Sequence, residues 1–351
     1  MLIVNCIPDL QGWSPIQYMI ALAAELMDAR VHIMATRNPS NITKLWSTIN
    51  GRSRNSRTHE SCMLVCTGPG DLVRFLEIHD WRRRFEYLTA WIIDSFWLDH
   101  IPTTIRLSNP FDHLFVTSNE DIEQWKKLTR TDVTWVPWGT DALRLGTGAE
   151  SREYDATRVG RQPPEWDDDL VTLNDAKSFG IKYRGRPAGD GLTALENHRY
   201  LMKVYSDSKY VIAFSNAVNP ESYTHSGREY LTGRWVDALG CGAIVAGVAP
   251  RGPSTEELLW PGATLDFGST RRNSGFAILA EALKLWSPNM AARNHTMALR
   301  KLDWRWRFRQ IADAIGLNPA GLTAELALLQ QRIANLESEC GGIGDPASAT
   351  R

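Results

Sequence analysis

The sequence predicts an α/β protein of two Rossmann-like domains, each a doubly wound parallel sheet with helices on both faces, with the carboxyl edges facing a common cleft. Three observations predict this. Short apolar runs of strand length alternate with helix-period segments along most of the chain. A length of 351 residues exceeds what one hydrophobic core usually supports. A stretch rich in Gly, Arg, Glu and Ser with no apolar period, residues 143–155, separates two such series and reads as a linker between domains at 1–142 and 156–299.

The first strand is the apolar run at residues 2–7, of the kind expected under helices on both faces. Ser14-Pro15-Ile16-Gln17 then combines an N-cap serine, a proline at the first helical position and a glutamine at the third. Ile16, Ile20, Ala23, Ala24 and Met27 follow at helical spacing. Strand two is expected at 31–35, and a polar segment follows in which 51–57 reads as a mobile loop. Further strands are expected at 62–66, 89–94, 113–118 and 133–138, giving about six in the first sheet. The second series places strands at 156–160, 181–185, 210–215, 243–247 and 263–267. The opening βαβ unit lacks G-x-G-x-x-G, having only Gly12 in its turn, so no nicotinamide or flavin cofactor is expected.

Net charge of −1 gives no global reason to expect nucleic acid or an anionic surface as partner, so at most peripheral membrane contact is predicted. No apolar run approaches the ~20 residues that span a bilayer, and the N-terminus lacks a basic leader and cleavage site, which predicts a cytoplasmic protein. Five cysteines read as reduced, mostly buried thiols. Cys62 and Cys66 in CMLVC have no Cys or His nearby to complete a metal site, and no D-x-D stands out as one.

Two C-terminal segments carry other patterns. RKLDWRWRFR at 300–309 interleaves basic and aromatic residues as nucleic-acid binders do, but Trp304, Phe308, Ile311 and Ile315 share one helical face, which predicts a docked helix with a solvated basic side. Leu322, Leu326, Leu329, Ile333 and Leu336 form a short heptad seam within 319–340, able to pair with a second copy as a homodimer or to fold back on its own chain. Residues 341–351 read as a frayed tail.

The stretch that carries chemistry is REYLTGRWVDALGCGAIVAGVAP, residues 228–250. A helix bearing Glu229 and Asp237 is expected to stop on Gly240-Cys241-Gly242 and lead into a buried strand, one αβ step of a parallel sheet. Its acids would then face the sheet's carboxyl edge, where open α/β sheets bind ligands.

This stretch resembles the signature of GT-B nucleotide-sugar glycosyltransferases, and is similar to the E-x7-E motif of their large retaining family. Glu229 matches the first acid and Asp237 the second, with Ala238, Cys241, Gly242 and Val245 in step. Asp237 stands where that family has Glu, and Ile244 where it has Pro. Arg158-Val159-Gly160-Arg161 resembles the first strand of the donor domain, Tyr183-Arg184-Gly185-Arg186 a later strand, and Val136-Pro137-Trp138-Gly139-Thr140-Asp141 the close of the acceptor domain. The family's lysine five residues after the strand-one arginine is Trp166 here, and its acceptor-side His-Asp pair is Ile93-Asp94. The cluster LTGRWVDAL also resembles the bacterial spore-maturation-protein-like glycosyltransferases, which place an arginine there.

The resemblance implies an acceptor-binding first domain, a donor-binding second domain, a helix at 300–318 returning to the first domain, and retaining, metal-independent transfer from a nucleoside diphosphate sugar to a small, saccharide or lipid-linked acceptor. Such a reaction needs donors aimed at the leaving diphosphate. The helix start at Thr232, Gly233 and Arg234, with Arg161 and Arg186, supplies them in this reading, and Asp237 bonds the ribose hydroxyls. Glu229 places the anomeric carbon, and Asp94 is the acceptor-side base or hydroxyl ligand. Gly12 and Trp13 let a phosphate or acceptor come close, while Trp13, Trp97 and Trp138 are sugar-stacking candidates that serve equally well as core. The rival readings are a sugar-nucleotide epimerase on the same plan and an inactive scaffold of the same fold that uses its heptads for assembly.

Overall fold

The computed structural model describes residues 1–34, 59–189, 191–220, 224–225 and 227–340; the loop expected at 51–57, the end of strand two at Ala35 and the tail at 341–351 lie outside them. The first sheet contains β1 (Leu2–Asn5), β2 (Arg30–Ile33), β3 (Glu60–Cys66), β4 (Phe85–Ile92), β5 (His113–Val116) and β6 (Asp132–Trp135), all parallel, in the order β2-β1-β3-β4-β5-β6. The second contains β7 (Tyr154–Arg158), β8 (Tyr183–Arg184), β9 (Ser208–Phe214), β10 (Ile244–Val248) and β11 (Thr264–Asp266), also parallel, in the order β11-β10-β9-β7-β8. Continuous apolar runs fix the central strands: Cys62, Met63, Leu64, Val65 and Cys66 of β3 are all fully buried, as strands covered on both faces require. Strand order reverses between β1 and β3 in one sheet and between β7 and β9 in the other, so the ligand-binding crevice of each domain is expected at the loops leaving those strands.

The first helix, Ser14–Leu26, corrects one local expectation. Gln11–Trp13 forms a 3-10 turn that runs into the helix, so Trp13 holds the cap position and Ser14 is already helical. The Ser14 hydroxyl donates instead to the Gln11 carbonyl at 2.7 Å, and Gln17 accepts from the Asn5 amide at 2.7 Å and donates to the Ile7 carbonyl at 3.1 Å. No capping box closes here; both side chains tie the loop after β1 to the helix.

The linker is more ordered than its composition suggests. Tyr154 and Asp155 pair with the second sheet, and Arg152, buried, donates to the carbonyls of Ala149 (3.0 Å), Ser206 (2.8 Å) and Cys241 (2.7 Å). A guanidinium with five N–H donors can satisfy several loop carbonyls that water cannot reach.

The chain passes between domains near Thr140 and returns near Asp303, and the two passages are bonded together. The Thr140 N–H donates to the Leu302 carbonyl and the Trp304 N–H donates to the Thr140 carbonyl, each at 2.9 Å. A Cβ on Gly139 would come within 2.7 Å of the Leu302 carbonyl oxygen and the Trp304 ring, so this approach needs glycine. Beneath it lies Arg305, 0% exposed, which donates to Asp141 (2.8 Å), Asp303 (2.9 Å) and Glu325 (2.7 Å). Asp141 also accepts from the Tyr18 hydroxyl at 2.7 Å, which brings in the first helix.

This corrects the expectation of a solvated basic side on 300–309. The helix Trp304–Ala314 does dock through Trp304, Phe308 and Ile311, but Arg305 and Arg307 are interior too, Arg307 donating to the Lys301 carbonyl at 2.6 Å. Arg300 and Arg309 face outward and pair with Glu337 and Asp313. The heptad helix, Ala320–Cys340, folds back on its own chain: Leu322, Leu326 and Leu329 are buried in the main core, with Ile333 and Leu336 packed against it. The seam is thereby occupied by the chain's own core, the second of the two arrangements expected for it.

Replacing Arg305 with Met leaves two fully buried carboxylates without their cation, a change that costs about 3–5 kcal/mol. Urea denaturation should show a loss of that size for Arg305→Met, and a change within about 0.5 kcal/mol for Arg309→Ala on the exposed side of the same helix.

Candidate functional site

The site is built where the carboxyl ends of the two sheets meet. From the first domain come the loop after β1, with Gly12 exposed and Trp13 packed against the main core, and the turn after β4, with Asp94, Phe96 and Trp97. From the second come the turn after β7, with Gly160 and Arg161, and the segment from Ser215 to the helix Gly233–Gly240. That helix ends as expected: the Gly242 N–H donates to Leu239 at 2.9 Å and the Ala243 N–H to Ala238 at 3.0 Å, with Gly242 at φ 76°. It starts at Gly233, so Glu229 lies in the loop before it rather than on it.

The structure brings Glu229 and Arg234 to the carboxyl edge of the second sheet. Glu229 accepts from the Ser215 hydroxyl at 2.5 Å and the Arg251 N–H at 3.3 Å. Arg234 donates to the Arg161 carbonyl at 2.9 Å and lies against Gly160. The helix start, Thr232 to Arg234, faces the first domain, where a Cβ on Gly233 would come within 3.1 Å of Pro15 and 3.2 Å of Trp138. Gly12 and Trp13 lie three and two residues before Pro15, so the loop after β1 and the N-terminus of this helix confront each other. Nearby, Gln11 donates to the Gly189 carbonyl at 3.2 Å and Asn197 to the Ser14 hydroxyl at 2.9 Å.

Two expected ligand residues stand apart. Arg186 donates to Asp167 at 3.1 Å, beside the Arg158–Asp169 pair at the end of β7, and joins neither Glu229 nor Arg234. Asp237 is 2% exposed and faces inward, its carboxylate 3.9 Å from the buried His198 ring. Burial pushes its carboxyl up to about 8, and pushes His198 down to about 4, so at neutral pH both stand uncharged in the domain junction. The ribose-bonding role expected for Asp237 requires its carboxylate at the wall of the cleft, whereas here it is enclosed between His198 and the passage at Thr140.

Asp94 is different. It sits half-buried at the end of β4, its N–H donating to the Thr67 carbonyl at 2.7 Å. Burial raises its carboxyl to about 7, with no neighbouring charge or hydrogen bond among the described residues offsetting the shift. A carboxyl titrating near the working pH is matched to proton transfer.

Sequence reasoning missed how the two domains close over Glu229. Tyr230 stacks on Phe96 with ring centroids 4.1 Å apart, and Trp97 lies between His100 (4.6 Å) and His225 (4.9 Å). Arg228 pairs with the buried Asp121 at 2.6 Å, and Glu120 accepts from the Ser254 hydroxyl at 2.6 Å. The aromatic density of WIIDSFW was the available signal, but its partners lie far away in sequence. Among the described residues there is a cavity of about 20 Å³ between Phe96, Trp138, Glu229 and Tyr230, and one of about 1290 Å³ on the β1–β3 side, where Ile20, Val31 and Ile33 share the lining with polar residues that include Gln17, Asp71 and Arg74.

No protein-family model and no curated protein matches the sequence. Among solved structures, the chain is similar to Anabaena Alr3699/HepE in complex with UDP-glucose, at 12% identity and a TM-score of 0.54 over 90% of this chain and 99% of that one. HepE solved with UDP and glucose gives 11% identity and the same TM-score and coverage. AviGT4, a glycosyltransferase involved in Avilamycin A biosynthesis, gives 13% and 0.50 over 90% of this chain and 96% of that one. At such identities the likeness speaks for the fold, and the fold is GT-B.

Asp237 supplies a test of the junction. Its folded value lies above the ordinary carboxylate value, so the native state holds a proton that the unfolded state has lost, and stability falls as pH rises until about 8. Between pH 7 and 8, above where His198 titrates, denaturation should show wild type losing on the order of 1 kcal/mol per pH unit. Asp237→Asn should show a flatter profile in that range; an unchanged slope would place the carboxyl in contact with water.

Proposed function

We propose that this protein is a metal-independent glycosyltransferase that moves a sugar from a nucleoside diphosphate sugar to a hydroxyl-bearing acceptor. The observation that carries this reading is the pairing of Asp94, a carboxyl poised near pH 7 at the end of a first-domain strand, with Glu229 and Arg234 at the carboxyl edge of the facing sheet. The fold shared with HepE, solved with UDP-glucose, supports the donor class.

In this reading the guanidinium of Arg234, with Arg161 beside it, meets the negative charge that grows on the leaving diphosphate. The N–H groups that open the helix Gly233–Gly240 add their partial positive charge. These groups take the part that a divalent cation plays in metal-dependent transfer. Glu229, braced by Ser215 and the Arg251 N–H, orients the transferred sugar. Asp237 acts from behind, setting the helix against the domain junction, and Arg186 stays with Asp167. The cavity on the β1–β3 side receives the acceptor, and its apolar wall suits a lipid-linked one.

The retaining course implied by the resemblance gives Asp94 the task of holding the acceptor hydroxyl while the leaving phosphate takes its proton. One observation favours the inverting course: a carboxyl near pH 7 is suited to take that proton itself. The two differ in measurable size.

Donor consumption and product anomer should be followed with UDP, GDP and TDP sugars, in the presence and absence of a chelator. Glu229→Ala and Arg234→Ala should each lower kcat/KM by about 10²-fold or more, in the range of lost transition-state contacts. For Asp94→Asn a loss of about 10²–10⁴-fold, with loss of a rising limb centred near pH 7, marks a base; a loss of about tenfold with the limb retained marks a hydroxyl ligand. Wild-type rates in both the Glu229 and Arg234 variants would sink this reading, and donor conversion without any acceptor would point to an epimerase.

A further inference from the structure

The end of the cleft next to Glu229 is filled by the protein itself. The space bounded by Phe96, Trp138, Glu229 and Tyr230 is about 20 Å³, room for about one water molecule and far short of a sugar ring. What fills it is a ring pair contributed by both domains: Phe96, two residues beyond Asp94, and Tyr230, adjacent to Glu229, with centroids 4.1 Å apart and planes within 14°. Phe96 is 3% exposed, so it is a packed element rather than a loose surface ring.

The pair is held from several sides. Trp97, next to Phe96, stacks on His100 and leans on His225, which precedes Tyr230 by five residues. The Tyr230 backbone is fixed by its N–H donating to the Asn216 side chain at 3.2 Å, and Asn216 donates to the Arg228 carbonyl at 2.7 Å. Arg228 reaches across to Asp121, and Ser254 to Glu120. The rings therefore close the cleft as part of a braced contact between the domains, at the point where, in the reading above, the two carboxyls would have to share a substrate.

We propose that Phe96 and Tyr230 form a gate over the sugar subsite: the rings stack on each other across the cleft and must separate before the sugar of a nucleotide sugar reaches Glu229. The inference rests on the donor reading above and adds to it two specificity-determining residues. The nucleotide half of the donor, bound on the Arg161 and Arg234 side, does not cross the gate. Binding of the sugar half carries the cost of opening it, a cost that the nucleotide alone does not meet.

The test compares nucleotide with nucleotide sugar by calorimetry, using UDP and UDP-glucose, then GDP and TDP and their glucose forms. Tyr230→Ala should tighten UDP-glucose at least fivefold while UDP changes less than twofold; Phe96→Ala should do the same, and the double variant should add little, because either ring alone removes the stack. Tyr230→Phe keeps the stack and should bind as wild type. Thermal unfolding checks that the variants are folded. Equal shifts for UDP and UDP-glucose, or no shift in folded alanine variants, overturn the gate while leaving the donor reading standing. Failure of wild type to bind any of the nucleotides overturns the donor reading itself.

Discussion

The bond between the two interdomain passages is the constraint on which the rest depends. Two parallel sheets can face each other across a cleft only if the chain segments joining them hold a fixed geometry, and here Thr140, Leu302 and Trp304 are locked by backbone hydrogen bonds over Arg305, beside a hydrophobic core that runs through both sheets. Burial opposes the charge of that guanidinium, but the carboxylates of Asp303 and Asp141 outweigh burial and raise its pKa. A buried ion cluster is a poor source of net stability compared with apolar packing, but breaking it is costly, and it demands a single arrangement of its partners. Those partners come from the first helix, the passage out, the passage back and the heptad helix, so one cation sets the positions of four segments.

The same low-dielectric interior divides the acidic residues into two kinds. Asp237 and Asp94 both have raised values, and burial is the cause in each. Asp237 has solid protein on every side and holds its proton as part of the packing. Asp94 stands half-buried just beyond the end of β4, on the carboxyl side of the first sheet. Location along the sheet, rather than the size of the shift, is what distinguishes these two acids. Glu229 is a third case, since hydrogen bonds from Ser215 and Arg251 orient it at the cleft without burying it.

Much of the fold was legible in the sequence because the strands are buried on both faces. ESCMLVC and IVAGV read as strands with no alternation to interpret, and Gly240-Cys241-Gly242 announced a helix stop that the Gly242 conformation requires. The direction in which polar side chains point was not legible. Arg305 and Arg309 occupy the same helix and look alike in sequence; what buries one is Asp141, 164 residues away. Asp237 was placed on the correct helix, but its facing depends on His198 and the passage at Thr140, which no local pattern encodes. The stack of Phe96 on Tyr230 likewise exists only once the two sheets confront each other. Ser14 and Gln17 fitted a capping pattern, but a 3-10 turn one residue earlier redirected both.

Arg152 has a mechanical meaning as well as a structural one. By holding the carbonyls of Ala149, Ser206 and Cys241 it joins the supposed linker to the second domain, so that stretch cannot act as a slack tether. The remaining connections are the two passages at Thr140 and Leu302, and these are bonded to each other. Away from these passages the two domains also meet through Asn197 on Ser14, Arg228 on Asp121 and Ser254 on Glu120, so the width of the cleft is set by side chains on both of its walls and not by the chain crossings alone.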